Sequence, residues 1–357
     1  MSIMNCRNVL IFYCMEFRKH QDKLCRIFPK IISCELTMGS RVVGSTTAGG
    51  RLFRELFTFG SDSLTHWFPS HMAKSFKKMQ AQMKKVDLVV EIHDARIPFT
   101  GRNEMMREAL SIKPHLLVLN KKDLCDMSKA QAVKTRLLEE EGIKNVLYTN
   151  CVKQHSDTAK KVIPKIEKIL KEEARFNRSE EHHYTIMVTG VPNVGKSSLI
   201  NAMRRLNIKK GKAARVGKMP GVTRSVMNRI LVSASPPMWL LDTPGILTPY
   251  VKDVETGMNL AVCGTLLDYM VGDEIIADYL LYTLNQYNKL KYCKVYDLDG
   301  PCDDIFVFLA HIAKKEQKTI RVKTYQGSMS VRWNINSAAV KFIRDFRDGQ
   351  LGTLTLL

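Results

Sequence analysis

No stretch of this chain reaches the roughly 18 apolar residues that a membrane-spanning helix needs. The longest early run, Val9 to Met15, is far shorter, so the sequence predicts a soluble or peripheral protein with no transmembrane segment. Cysteine lacks pattern rather than number. Nine occur, at positions 6, 14, 25, 34, 125, 151, 263, 293 and 302, and no two form a C-x-x-C pair. That spacing suggests neither a zinc site nor a disulfide framework, and a reducing compartment is the simplest reading. No internal repeat and no lipidation motif is evident. Acidic residues are missing from one stretch in particular: Arg204 to Arg229 holds nine Lys or Arg and no Asp or Glu.

What is present bounds the class further. The chain has 357 residues, 45% of them hydrophobic, enough for two buried cores. Net charge is +20, yet residues 250–357 carry 13 bases and 13 acids, so the excess lies in residues 1–249. A polyanion such as RNA would account for such a surface through phosphate neutralisation and counterion release. A generally basic, solvated surface is the competing reading.

Residues 1–60 differ from the rest. Met38 to Arg54 holds three arginines, several Ser and Thr and no acid, which suits a mitochondrial transit segment. Residues 1–37 mix acids among the bases, as an upstream extension with Met38 as an alternative start would. An unstructured tail with no targeting role is the other reading.

From residue 61 to 249 the pattern is α/β. Apolar runs of strand length are expected at Val86–Ile92, Leu116–Leu119, Asn145–Tyr148, Tyr184–Val188, Ile230–Val232 and Trp239–Leu241. Helices are expected at Ser128–Glu141, with Ser128 as its cap, at Val162–Glu173, and from Lys196 onward. Strands alternating with helices predict a parallel or mixed sheet covered on both faces. Residues 250–357 read as a mainly helical domain, with Ile275, Ile276, Tyr279, Leu280 and Leu284 at helical spacing and a short strand near Leu354.

Three motifs carry the chemistry. Gly190-Val191-Pro192-Asn193-Val194-Gly195-Lys196-Ser197 has the G-x-x-x-x-G-K-[ST] spacing of a phosphate loop, between an expected strand and an expected helix. Its glycines let the backbone curl so that N–H groups from Asn193 through Val194, Gly195, Lys196, Ser197 and Ser198 face phosphates. Lys196 offsets β and γ charge, Ser197 suits Mg²⁺, and the following helix N-terminus adds a favourable dipole. Asp242-Thr243-Pro244-Gly245 follows a strand. Asp242 can hold Mg²⁺, and Gly245 can give its N–H to the γ-phosphate. Between them lies Pro220-Gly221-Val222-Thr223-Arg224, where Thr223 is the candidate switch threonine for Mg²⁺ in the GTP state.

Asn120-Lys121-Lys122-Asp123 is a base reader. One carboxylate at Asp123 accepts from both N1–H and the 2-amino group of guanine. Asn120 braces the loop, Lys121 can lie along the ring, and Thr149-Asn150-Cys151 falls where a backbone N–H would meet the guanine carbonyl. In an ordinary GTPase the phosphate loop precedes the base reader; here the order is cyclically shifted. Many GTPases place a Gln after D-x-x-G to orient water. This chain has Ile246 there. Asn193, as a potassium ligand, and His71 are the two visible substitutes, against an ordinary loop amide and an ordinary histidine.

That order, with W-F-P-S-H-M at 67–72, D-A-R-I-P at 94–98, N-K-K-D at 120–123, G-V-P-N-V-G-K-S-S at 190–198 and D-T-P-G at 242–245, resembles the circularly permuted GTPases of ribosome assembly, the ribosome biogenesis GTPase A type. With the transit-like N-terminus, it resembles a mitochondrial member. The resemblance implies a permuted GTPase domain and a helical C-terminal domain that contacts rRNA. It implies potassium-stimulated GTP hydrolysis, turning GTP into GDP with Mg²⁺, in maturation of the mitochondrial large ribosomal subunit. Location would be the matrix, with peripheral attachment to the inner membrane as a variant. His71 maps to the family's catalytic histidine and Asn193 to its potassium-linked asparagine; Lys196 and Thr223 complete the catalytic set. Ser70 departs from the expected glycine. Two other classes compete, a phosphate-loop kinase and a membrane-associated regulatory GTPase. The permuted order also makes the chain leave the GTPase unit just after Gly245, so hydrolysis would act directly on the C-terminal domain.

Overall fold

Six strands are defined by alternating or continuous apolar runs: β1 (Leu88–Asp94), β2 (His115–Asn120), β3 (Val146–Tyr148), β4 (Tyr184–Thr189), β5 (Arg229–Ala234) and β6 (Pro237–Asp242). They form one sheet in the spatial order β3-β2-β1-β4-β6-β5. Every neighbouring pair is parallel except β5 with β6. All seven residues of β1 are buried, as a central strand covered on both faces requires. These features come from a computed structural model that describes residues 53–58, 81–102, 113–151, 157–172, 181–208, 229–242, 253–323 and 329–357. All of them fall within one compact unit, Gly44–Leu357.

Helices α1 (Ala130–Glu141), α2 (Asp157–Lys160), α3 (Val162–Glu172) and α4 (Lys196–Ile208) accompany the sheet. The face expected on α3 is the buried one: Val162, Ile163, Ile166, Ile169 and Leu170. The cap before α1 differs from expectation. A 3-10 turn at Met127–Lys129 precedes that helix, and the capping side chain is Asp126, which accepts from the Ser128 N–H at 3.2 Å. Aspartate wins because its carboxylate also takes the Ser128 hydroxyl at 2.7 Å.

The C-terminal part adds α5 (Val254–Val262), α6 (Asp268–Val271), α7 (Asp273–Gln286), α8 (Lys291–Tyr296), α9 (Ile305–Lys315), a hairpin of β7 (Thr319–Lys323) and β8 (Met329–Trp333), and α10 (Ile335–Arg347). Ile276, Leu280 and Leu284 of α7 are buried at i, i+4 and i+8, while Ile275 is turned off that face and is 47% exposed. The strand expected near Leu354 is not there. Leu354 N–H donates to the Leu124 carbonyl at 3.0 Å and Leu356 N–H to the Arg96 carbonyl at 2.7 Å, so the tail is tied to loops rather than paired in a sheet.

The core does not stop near residue 250. One apolar cluster runs from Leu88, Ile92, Val188 and Leu240 of the sheet through Leu260 and Leu280 to Phe308, Phe342 and Leu354. Nor does the folded chain begin at residue 61. Arg54 donates to Asp278 at 2.8 Å and through its N–H to Asp303 at 2.7 Å, and the Phe57 ring meets Tyr279 edge-on at 5.2 Å.

Candidate functional site

The carboxyl ends of the central strands lie side by side, where ligands of open α/β sheets bind. Asp94 at the end of β1 is paired in register with Asn120 at the end of β2. Val188 of β4 is paired with Asp242 of β6. The phosphate loop leaves β4 between them, and α4 starts at Lys196.

Two glycines shape that loop. Gly190 has φ 147°, and a Cβ there would fall 2.1 Å from the Ile92 carbonyl oxygen. Gly195 has φ 102°, and its Cβ would fall 2.3 Å from Asn120 Nδ2. At Gly190 the backbone of β1, and at Gly195 the Asn120 side chain, comes too close for a Cβ. Lys196 is buried, with Nζ donating to the carbonyls of Gly190 at 3.1 Å and Val191 at 2.9 Å. Val194 is buried, and Ser197 and Ser198 are half-buried in the first turn of α4.

Asn120 joins the base loop to the phosphate loop. Its Nδ2 donates to the Val194 carbonyl at 2.8 Å. Its Oδ1 accepts from Thr149 Oγ1 at 3.2 Å and from the Cys151 N–H at 3.1 Å. That amide thus braces three loops at once. The Cys151 N–H therefore points at Asn120. Burial pushes the Cys151 thiol up to about 11, so it is no nucleophile. Thr149 and Asn150 are buried beside it. Asp123, in contrast, is exposed on the turn that follows.

Lys121 is held from below. Its backbone has φ 60°, and its Nζ lies 2.8 Å from Asp94 Oδ2. Asp94 also accepts from Arg96 Nε at 3.0 Å and Nη2 at 2.8 Å. Both Asp94 and Arg96 are buried. Burial alone would raise the Asp94 pKa; the charges of Arg96 and Lys121 overcome it and hold the carboxyl far below the usual carboxylate range. Arg96 reaches onward to the Cys263 carbonyl at 3.4 Å, and its guanidinium lies 5.2 Å from the Phe346 ring centre. Asn193, with φ 58°, donates from Nδ2 to the Gly264 carbonyl at 2.8 Å. The phosphate loop and the loop after β1 are thus tied to the turn after α5.

The expected residues divide as follows. Asn120, Lys121, Thr149, Asn150, Cys151, Asn193, Val194, Gly195, Lys196, Ser197 and Ser198 are brought together, with Asp123 at the rim. Asp242 is described by its backbone register alone. His71, Thr223 and Gly245 lie outside the described residues. The D-A-R-I-P motif carries the family resemblance, but nothing in the sequence itself assigns a task to Asp94 or Arg96. An Asp and an Arg two apart, directly after an apolar strand-length run, were the available signal. Gly264 and the Leu354–Leu356 tail carried none.

Strand order, phosphate loop and base loop define a P-loop GTPase fold whose elements follow one another in a permuted chain order. The family profile described as "50S ribosome-binding GTPase" matches residues 185–294, a stretch that includes the phosphate loop but not the base reader. "Mitochondrial ribosome-associated GTPase 1" of Ictalurus punctatus is 52% identical over 307 residues, covering 85% of this chain and 96% of its own. The protein of the same name in Xenopus tropicalis is 50% identical, covering 85% and 98%. "Mitochondrial GTPase 1" of Aedes aegypti is 45% identical, covering 85% and 97%. The chain belongs to this family of mitochondrial ribosome-associated GTPases and is a GTP-binding, GTP-hydrolysing enzyme.

Proposed function

We propose that the chain acts as a switch in assembly of the mitochondrial large ribosomal subunit, and through it in mitochondrial translation. The observation that carries the nucleotide part is the three-way brace at Asn120, which couples a base-reading loop to a phosphate loop. The ribosomal part is supported by the names of relatives at about half identity and by the acid-free basic run Arg204–Arg229, which suits rRNA.

In this reading residues 61–249 are the permuted GTPase domain and 250–357 the partner-binding domain. Asp123 selects guanine, and the loop from Asn193 to Ser198 holds the phosphates with Gly245. The donor set fits a hard divalent cation: Ser197 sits in the first turn of α4, and Asp242 ends the strand next to the one that launches the loop. Mg²⁺ there, with Thr223, would supply charge stabilisation at the phosphates. Asn193 is the proposed K⁺ ligand. Ile246 cannot orient water, which leaves that role to His71. The site is in the mitochondrial matrix. A cleaved leader would end before Phe53, because Arg54 is tied to Asp278 and Asp303.

A membrane-associated GTPase is the second reading; among the described residues no helix is long and apolar enough to cross a bilayer. Co-sedimentation of the purified protein with mitochondrial large subunits and with anionic liposomes separates the two. Salt-sensitive binding to the subunit, stronger with a GTP analogue than with GDP, is expected. Binding to liposomes alone would overturn the ribosomal reading.

A further inference from the structure

The hairpin β7–β8 presents four exposed large apolar side chains, Ile320, Met329, Val331 and Trp333, to solvent. A two-stranded ribbon is marginal on its own. This one is clamped at its base, where the Lys318 N–H donates to the Ala313 carbonyl at 2.9 Å and the Asn334 N–H to the Lys318 carbonyl at 2.9 Å. The strands pair Thr319 with Trp333, Arg321 with Val331, and Lys323 with Met329. Because side chains alternate, those six lie on one face. All are exposed: Trp333 by 39%, Val331 by 65% and Met329 by 63%.

The face has an order. One strand carries Thr319, Arg321 and Lys323; the other carries Trp333, Val331 and Met329. The two cations stand about 6.8 Å apart along their strand. From Gln317 to Arg344 the sequence has no Asp or Glu, while Lys318, Arg321, Lys323 and Arg332 all fall in or beside the hairpin. Exposed aromatic and aliphatic side chains next to Arg321 and Lys323 match a ligand that offers a charged backbone and flat apolar rings together. Unpaired RNA does so. A duplex would present mostly phosphate and sugar, leaving Trp333, Val331 and Met329 against charge. An element seated in a bilayer segregates its apolar residues onto one face. Here they are mixed row by row, and the other face repeats the mixture with Ile320 beside Arg332.

We propose that this face docks unpaired RNA, with Arg321 and Lys323 on the phosphates and Trp333, Val331 and Met329 against the bases. The proposal deepens the ribosomal reading and rests on it.

The test uses the full-length protein and a fluorescent single-stranded oligouridine, the same strand in a duplex, mitochondrial large subunits, and vesicles of phosphatidylcholine and cardiolipin. Trp333→Ala should weaken single-strand binding about 5- to 100-fold, as loss of a stacking side chain does. Arg321→Glu with Lys323→Glu should weaken it further than Trp333→Ala does. The milder Arg321→Gln with Lys323→Gln should lower the slope of log affinity against log salt by about 1.4. Guanine-nucleotide binding, read in parallel, should be unchanged in each variant and certifies the fold. Wild-type affinity for single strand retained by the variants overturns the proposal. So does a preference for the duplex, or a loss confined to vesicles, or a wild-type protein that ignores the single strand. If wild type and variants bind large subunits equally well, the hairpin fails while the ribosomal reading stands. If the wild type ignores large subunits, that reading itself fails.

Discussion

The base-reading corner and the C-terminal hairpin hold their charges in opposite ways. At the corner, Asp94, Arg96 and Lys121 are packed into a net with two of its three side chains fully buried. On the hairpin, Arg321 and Lys323 stand in solvent with no acid nearby in sequence. A buried charge costs several kcal/mol unless paired, so it persists only where one geometry is enforced. An exposed charge costs almost nothing and remains available to a partner. The contrast separates a preorganised ligand corner from a surface kept open.

The largest way to break that contrast is Asp94→Ala. It strands Arg96 in the core and frees Lys121, and should cost about 3–5 kcal/mol. Urea unfolding reads it; a loss below 1 kcal/mol would mean the net is incidental. Next is Gly195→Ala. Its φ of 102° and the 2.3 Å approach to Asn120 Nδ2 predict about 1–3 kcal/mol of strain and a larger loss of nucleotide affinity, seen by titration with a fluorescent GDP. Undiminished affinity would contradict the three-loop brace.

A titration sharpens the picture at β1. His93 is buried, with its Nε2 2.9 Å from the Thr100 carbonyl, and burial lowers its pKa, with the charge of Arg102 adding to the effect. Below about 6.5 the unfolded chain takes up a proton that the folded chain resists. Stability from this site is therefore complete above about pH 6.5 and lost as pH falls, by at most about 1.4 kcal/mol per pH unit. Melting from pH 7.5 to 5 should fall more steeply for wild type than for His93→Gln; equal slopes would remove His93 from the account. The smallest effect belongs to the hairpin. Arg321→Gln should change stability by less than about 0.5 kcal/mol, and a larger loss in urea would mean its charge is structural.

Local pattern made much of this legible. The buried face of α3, the start of α4 and the central strands follow from spacing alone, because burial periodicity is written residue by residue. The hairpin is readable too, since T-I-R-V-K and M-S-V-R-W alternate, but the expectation of a mainly helical C-terminal region, with its short strand near Leu354, hid it. What the spacing could not supply is contact between distant segments. Asn193 meets Gly264 across 71 positions, and Leu356 closes on Arg96 from the far end of the chain. No local signal encodes such pairs; the tertiary packing makes them.

The central claim is that a base reader and a phosphate loop, reversed in chain order, form one guanine site through Asn120. Exchanging the base-reading carboxylate tests it most directly, by competition of GTP and xanthosine triphosphate for wild type and Asp123→Asn. The account predicts that the variant loses GTP affinity and gains affinity for xanthosine triphosphate. An unchanged preference for GTP would contradict it.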